Sequence, residues 1–419
     1  MKGDGGFIPP TLVRGFFPYI SPNDYIYANK LTKPAILLTS PQMPDLETMT
    51  RTQPPRVWVL TTVKLGDNAQ VLAIANALGW PYELKRLEFT NADHVHSRAF
   101  GPSQWKLAVD RSSPLVPPWP DLLLTIGRRS SPVALEVRQW SGDRTKLVQV
   151  GQGQSRAGLA CFDLVVANPQ CPLPNRPNLV RLELPLLYGN SATISAAVAQ
   201  WQPRFMSLPR PWTALLIGGS GGPRILDTEV ARRMIGEVNQ LVTREGGSLL
   251  VTTSPRTSRE AADVIEAGMP ANGFFHRWVP GGQSNPYPAI LGLADHFVVT
   301  GDSISMLTEV IRQGKAPAIY PLPFRKMTVR KSVRRWYRHV FRNLFPPGEA
   351  AKESGGWREG LGERLMHLGL LRYYSDFPRF YQHLIARGLA VRFGTPFLPI
   401  QGPPSDDLPM VIEQIKALF

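Results

Sequence analysis

The sequence predicts an α/β protein built from two parallel-sheet domains, and three observations carry that expectation. Its 419 residues, 43% hydrophobic and 19% charged, hold apolar material for two ordinary cores rather than one. From Arg56 onward short apolar runs alternate with helix-like segments, the mark of βαβ units whose parallel sheet is covered on both faces. The alternation breaks over Trp201 to Pro211, where Pro203, Pro209 and Pro211 crowd together, and then restarts.

In chain order, residues 1–55 are rich in proline and polar turns and read as an extended arm. The first domain, 56–205, contains VWVL, a helix near Asn68 to Leu78, LKRLEF, a run over Asp121 to Gly127, a helix from Pro132 to Gln139, KLVQV and DLVVA. The second, 206–323, contains ALLIGG, a helix near Asp227 to Arg244, SLLVTTS, a helix near Ser258 to Ala267, a short strand at Gly273 to His276, FVVTG, a helix near Ser305 to Gly314 and PAIYPLP. Residues 324–419 form a basic, aromatic, helical region, with helices expected over roughly 361–391 and 408–419.

Charge narrows the partners. Lys and Arg outnumber Asp and Glu by 47 to 32, a net +15, so the surface favours an anion: a phosphorylated small molecule, a lipid head group or nucleic acid. From Arg325 onward 16 basic and 8 acidic residues leave +8, and eight of those bases lie between Arg325 and Arg342 with no acid among them. Val333, Trp336, Tyr337, Val340, Phe341 and Leu344 recur there at helical spacing, with Lys331, Arg334, Arg335, Arg338 and Arg342 on the other side. This is the make-up of an interfacial helix on an anionic membrane, and equally of a surface helix packed on its own protein. Nucleic acid ranks lowest, because no recognised module surrounds the stretch. Two cysteines, Cys161 and Cys171, exclude a disulfide scaffold and a cysteine-built zinc site. No run approaches the ~20 apolar residues that span a bilayer. The start, MKGDGGFIPP, lacks the core of a secretory signal. The expected location is cytoplasmic, peripheral on the inner face of the membrane if the basic helix binds lipid.

Ligands of such sheets bind beyond the carboxyl ends of the strands. Five junctions qualify: Thr61 to Gln70, Gly127 to Ser131 with Arg128 and Arg129, Gly218 to Arg224, Thr253 to Arg256, and Gly301 to Ser305 followed by Glu309. The glycine loop Gly218-Gly219-Ser220-Gly221-Gly222 lets backbone approach a phosphate closely. It lacks the Lys-Ser/Thr ending of an NTPase phosphate loop, having Pro223-Arg224 instead. It also lacks the third glycine of a dinucleotide fingerprint, and SLLV ends in Thr252, Thr253 and Ser254 rather than an acid. Arg224 and Arg256, each just past a strand, favour a diphosphate over a ligand-free turn.

These residues bring out a resemblance. GDNAQ at 66–70, LTIGRRSSP at 124–132, GGSGG at 218–222, TTSPRT at 252–257, NPY at 285–287 and TGDSISMLTE at 300–309 are similar to the mitochondrial-fission Elm family, its plant proteins and bacterial relatives. The second half also resembles the donor domain of GT-B glycosyltransferases. The resemblance implies a GT-B-like fold, two Rossmann-like domains facing a central cleft with C-terminal helices packing back across the hinge. It implies a metal-independent glycosyltransferase, with a UDP-sugar as donor substrate rather than a bound cofactor and a lipid-linked or envelope acceptor. The donor diphosphate would then lie at Ser220, Gly221 and Gly222 near Arg224, Ser254 and Arg256. Asp302, Ser303 and Ser305 would line the same site, and Glu309 would hold the ribose, since a carboxylate accepts two hydrogen bonds from a diol.

Asp67 is the candidate base, at a position where related enzymes often carry histidine. Its alternative is a helix cap, with Gln70 three residues on. Asp302, Ser303 and Ser305 begin the later helix, where an Asp or Ser is also a good N-cap, a reading compatible with the ligand one; the alternative for Glu309 is a surface glutamate on an amphipathic helix. His94 and His96 are a second acid–base possibility beside a solvated-loop reading; the other histidines are too scattered for a metal site. The contrasting function is a non-catalytic GT-B-like scaffold that recruits a partner protein to a membrane. Sugar, acceptor, stereochemistry and oligomeric state stay open.

Overall fold

Val57–Thr61 (β1) is five residues buried on both faces, the pattern that only a central strand of a covered parallel sheet requires. The computed structural model describes residues 53–90, 104, 107–151, 159–171, 173, 175–221, 224–282, 284–324, 340, 361, 364–365 and 375–419. The Pro-rich arm through residue 52, His94, His96, Gly222 and, apart from Val340, the basic stretch Arg325 to Arg342 lie outside the described residues. Among the described residues no helix is long and apolar enough to cross a membrane.

After β1 come α1 (Leu65–Leu78), β2 (Tyr82–Arg86), β3 (Leu122–Ile126), α2 (Ser131–Trp140), β4 (Lys146–Val150), β5 (Leu164–Ala167) and β6 (Leu179–Arg181). The strands form one parallel sheet in the order β2-β1-β3-β4-β5-β6. The chain leaves β1 for β2 on one side and returns to β3 on the other, so the loops after β1 and β3 diverge and open a crevice between them.

A second set follows: α3 (Ser191–Phe205), β7 (Trp212–Leu216), α4 (Thr228–Glu245), β8 (Ser248–Thr252), α5 (Arg259–Ala267), β9 (Gly273–His276), α6 (Tyr287–Leu293), β10 (His296–Thr300), α7 (Ile304–Arg312), β11 (Ala318–Tyr320), α8 (Phe377–Ala386), β12 (Val391–Arg392) and α9 (Leu408–Lys416). Their parallel sheet has the order β12-β11-β10-β7-β8-β9. Successive strands run outward from β7 to one edge and from β10 to the other, the doubly wound order of nucleotide-binding sheets, with the switch between β7 and β10. The fold is thus the two-domain α/β arrangement expected. The break expected to open at Trp201 instead begins only after Phe205, and Pro203 sits inside α3. The last turn is held because Trp201 and Phe205 are buried with Trp212 and Phe274 of the second sheet.

The chain's end returns to the first sheet. Val411, Ile412 and Ile415 of α9 join the core made by Val57, Val71, Ile74 and Leu78, and Phe419 meets Trp80 edge-to-face at 5.5 Å. Just after β6, Glu183 fastens this return. Its N–H donates to Asp407 Oδ2 at 2.7 Å, and its carboxylate accepts from Arg387 Nε and from the Ser405 N–H, both at 2.7 Å. Tyr188 donates to Asp406 Oδ1 at 2.6 Å.

Burial alone would raise the Glu183 carboxyl, but the bonds from Arg387 and Ser405 and the charge of Arg387 draw it down to about 2. A carboxylate depressed on folding stabilises the protein above its ordinary value of 4.5 and loses that contribution as pH falls through its folded value. Thermal melts between about pH 4.5 and 2 should therefore show a steeper loss in the wild type than in Glu183→Gln. Parallel acid limbs would remove Glu183 as the fastening group.

Candidate functional site

The switch between β7 and β10 places two motifs side by side. After β7, the Gly218 N–H donates to Thr300 Oγ1 at 2.8 Å and the Gly219 N–H to Asp302 Oδ2 at 2.9 Å. A Cβ on Gly218 would collide with the Asp302 carboxylate, and one on Gly219 with the Arg256 carbonyl, so close approach demands glycine at both positions. The loop after β8 is tied to the same backbone: Ser254 Oγ and Thr257 Oγ1 both donate to the Gly218 carbonyl, the latter at 2.7 Å. Ser220 is exposed, and its hydroxyl accepts from the Leu226 N–H at 3.0 Å. Gly221 lies against Arg256, whose Nη1 would be 2.9 Å from a Cβ there.

The two arginines have different surroundings. Arg256 pairs with Asp302 Oδ2 at 2.6 Å while its side chain stays 43% exposed. Arg224 is buried; it donates to the Leu322 carbonyl at 2.7 Å and its guanidinium lies over Phe324 at 4.8 Å and Tyr381 at 5.7 Å.

On the β10 side, burial raises the Asp302 carboxyl, opposed by Arg256, Thr300 and the Gly219 N–H. Ser303 stands at the N-cap of α7, but its side chain makes no capping bond. Glu309, two helical turns on, is half-buried rather than on an exposed surface and accepts a short hydrogen bond from the Tyr287 hydroxyl. Burial raises the Glu309 carboxyl against that bond. Burial and then the Glu309 charge push the Tyr287 phenol well above its ordinary value. NPY and TGDSISMLTE are therefore two halves of one contact, a pairing that sequence reasoning had no signal to make.

Across from this stands the loop after β1. Gly66 faces α7, where Ser305 Oγ would lie 2.7 Å from a Cβ at residue 66. Lys64, not Asp67, is the N-cap of α1, and it makes no side-chain capping bond. The turn is closed instead by Asn68, whose Oδ1 accepts from the Thr62 N–H at 2.8 Å and whose Nδ2 donates to the Thr62 carbonyl at 2.7 Å. Gln70 donates to the Gly66 carbonyl at 3.4 Å, so the capping-box alternative is not formed. Asp67 is left in the first turn of α1, where the helix dipole favours a carboxylate. Its Oδ2 is 3.7 Å from Lys64 Nζ and 3.8 Å from a Cβ position on Gly127 at the end of β3. Ser130 and Ser131 hold that second loop by donating to the Ile126 and Gly127 carbonyls at 2.5 and 2.8 Å. Among the described residues no group of three or more His, Cys, Asp or Glu gathers in a way that could hold a metal ion.

The model of the family described as "Mitochondrial fission ELM1" matches residues 66–354, more than half of the chain and every motif of this site. The chain belongs to the mitochondrial fission ELM1 family. The Arabidopsis thaliana mitochondrial fission protein ELM1 is 26% identical over 219 residues, 47% of this chain and 50% of that protein. The match thus spans half the length of that ELM1 relative. An uncharacterised Rickettsia prowazekii (strain Madrid E) protein, RP120, is 22% identical over 304 residues, 64% of this chain and 83% of that one. Solved structures similar to this ELM1-family chain include MurG of Acinetobacter baumannii, at 13% identity, 87% and 100% coverage and a TM-score of 0.40. The UDP-GlcNAc 2-epimerase of Methanocaldococcus jannaschii is similar at 8% identity, the same coverage and a TM-score of 0.40. At such scores the likeness carries no argument about activity, and the fold of the ELM1-family chain rests on its strand order.

Proposed function

We propose that this chain binds a UDP-sugar where the loops of its two sheets meet, and transfers the sugar to a lipid-linked or envelope acceptor at the cytoplasmic face of a membrane. The observation that carries the reading is Glu309. Its half-buried carboxylate, on α7, which starts just after Asp302 and Ser303 beside the glycine loop at the switch point, is oriented by Tyr287 of α6. An oriented carboxylate there suits a ribose diol, which can donate two hydrogen bonds to it. The diphosphate is assigned to the Ser220–Gly221 backbone and Arg256, which would also stabilise the departing nucleoside diphosphate. Asp67, in the first turn of the facing helix α1, is assigned the acceptor hydroxyl's proton. The basic aromatic pattern of Arg325 to Arg342 supports the membrane-side acceptor.

Thermal melting with UDP, GDP, ADP and uridine tests the reading: UDP raises the midpoint most if it is right. Glu309→Gln keeps an acceptor for Tyr287 and should weaken UDP binding roughly tenfold, the worth of a hydrogen bond to a charged group. Undiminished UDP affinity in that variant would sink the ribose assignment. Glu309→Ala, by contrast, leaves the Tyr287 hydroxyl unpaired and should cost about 1–3 kcal/mol of stability.

One observation favours the second reading, a GT-B-like scaffold that brings a partner protein to a membrane: Arg256 is already neutralised by Asp302. A midpoint unmoved by every nucleotide would decide for the scaffold.

A further inference from the structure

The glycine loop has the parts of an anion site, and the described residues show what occupies them. A phosphate at such a loop is held by a backbone N–H and a guanidinium. Here the Gly219 N–H donates to Asp302 Oδ2, and Arg256 pairs with that same oxygen. The Asp302 side chain is 2% exposed, and Gly218 lacks a Cβ where the carboxylate sits. We infer that Asp302 is an internal substitute for phosphate in the glycine loop, so that a nucleotide's phosphates reach Gly219 and Arg256 only by displacing this carboxylate. The inference rests on the nucleotide-sugar reading of the cleft and sharpens it, because it makes Asp302 the residue that sets how strongly the site prefers a phosphorylated ligand to a bare nucleoside.

Two buried atoms indicate where the carboxylate goes. Among the described residues Asp302 Oδ1 has no hydrogen-bond partner, and neither does the hydroxyl of Tyr381, which lies 3.4 Å from a Cβ position on Gly301, the residue before Asp302. Tyr381 comes from α8, packed over this end of β10. Turned away from Gly219, the carboxylate finds a donor in the Tyr381 hydroxyl, which gains a partner in the same step. The charged groups around Asp302 mark the two positions of the carboxylate: Arg256 holds it in the loop, while Arg224 stands beside Tyr381, where the displaced carboxylate would go. In the ligand-free state the pair also keeps Arg256 from meeting other anions, since like charges at ion-pair distance repel.

Calorimetric titration of the full chain with UDP and with uridine tests the inference. Asp302→Asn keeps an oxygen for the Gly219 N–H but removes the charge. It should bind UDP roughly tenfold more tightly than the wild type, with uridine affinity unchanged, because one charge-assisted contact is released to the ligand. A gain of this kind cannot come from structural damage. Equal or weaker UDP binding by Asp302→Asn, with clear binding by the wild type, overturns the inference and leaves the nucleotide reading standing. Absence of UDP binding in both proteins removes the two together. Tyr381→Phe, which deletes a hydroxyl that has no partner among the described residues, decides the matter if Asp302→Asn does not fold. It should weaken UDP binding severalfold and leave uridine binding alone, and unchanged UDP affinity overturns the displacement.

Discussion

On the proposed transferase reading, replacing Asp67 with Asn should lower sugar transfer by about 10²–10⁴-fold, the usual contribution of a positioned proton acceptor. UDP affinity and the thermal midpoint should stay close to those of the wild type. Both expectations follow from where the residue stands. Asp67 lies in the first turn of α1, the helix that follows β1 at the switch of the first sheet. Gly66, beside it, faces Ser305 of the second domain. The Asp67 side chain is 35% exposed and 3.7 Å from Lys64, so it is reachable rather than locked in the core. The helix dipole contributes about 0.3–1 kcal/mol to keeping a carboxylate there, which bounds the stability that Asn can lose. Turnover with Asn matching the wild type would reduce Asp67 to a dipole-stabilised surface group, and the base would have to be sought elsewhere.

Phe205→Ala should destabilise the protein by about 3–5 kcal/mol, the range for emptying a buried phenylalanine site. Phe205 is fully buried. Its ring sits 6.1 Å from Trp201, 6.0 Å from Trp212 and 5.0 Å from Phe274, a cluster that keys α3 onto the second sheet. Because β7, which begins at Trp212, ends at the glycine loop, the loosened cluster should also weaken the proposed UDP binding. Chemical denaturation with UDP absent and present measures both effects. A loss below about 1 kcal/mol would show that the site collapses around the deletion and that α3 is not keyed as described.

Much of the candidate site was legible because strand-end loops are recognisable from local pattern. The runs VWVL, ALLI and FVVT end where polar and glycine residues begin, and Gly218, Ser254, Arg256 and Asp302 do converge at those ends. The bonds among them were not legible. Tyr287 was read as part of a motif and Glu309 as a ribose ligand or a surface residue, yet each is the other's partner. Arg224 and Arg256 looked alike, but one is buried with its guanidinium over Phe324 and Tyr381 and the other is ion-paired.

The sequence by itself determined the α/β class, the strand and helix rhythm and the location of the polar loops. These are local properties: an apolar run buried on both faces and a 3.6-residue stripe show how much of an element meets solvent. Elements with weak local signals escaped, among them the three-residue β6, the two-residue β12, the Ala-rich α3 and the short α6. Only the tertiary structure decided the strand order, the return of α9 to the first sheet and the occupation of the glycine loop by Asp302. Periodicity states that a face will be buried but not which distant segment will bury it. That choice is made when residues far apart in the chain pack into one core.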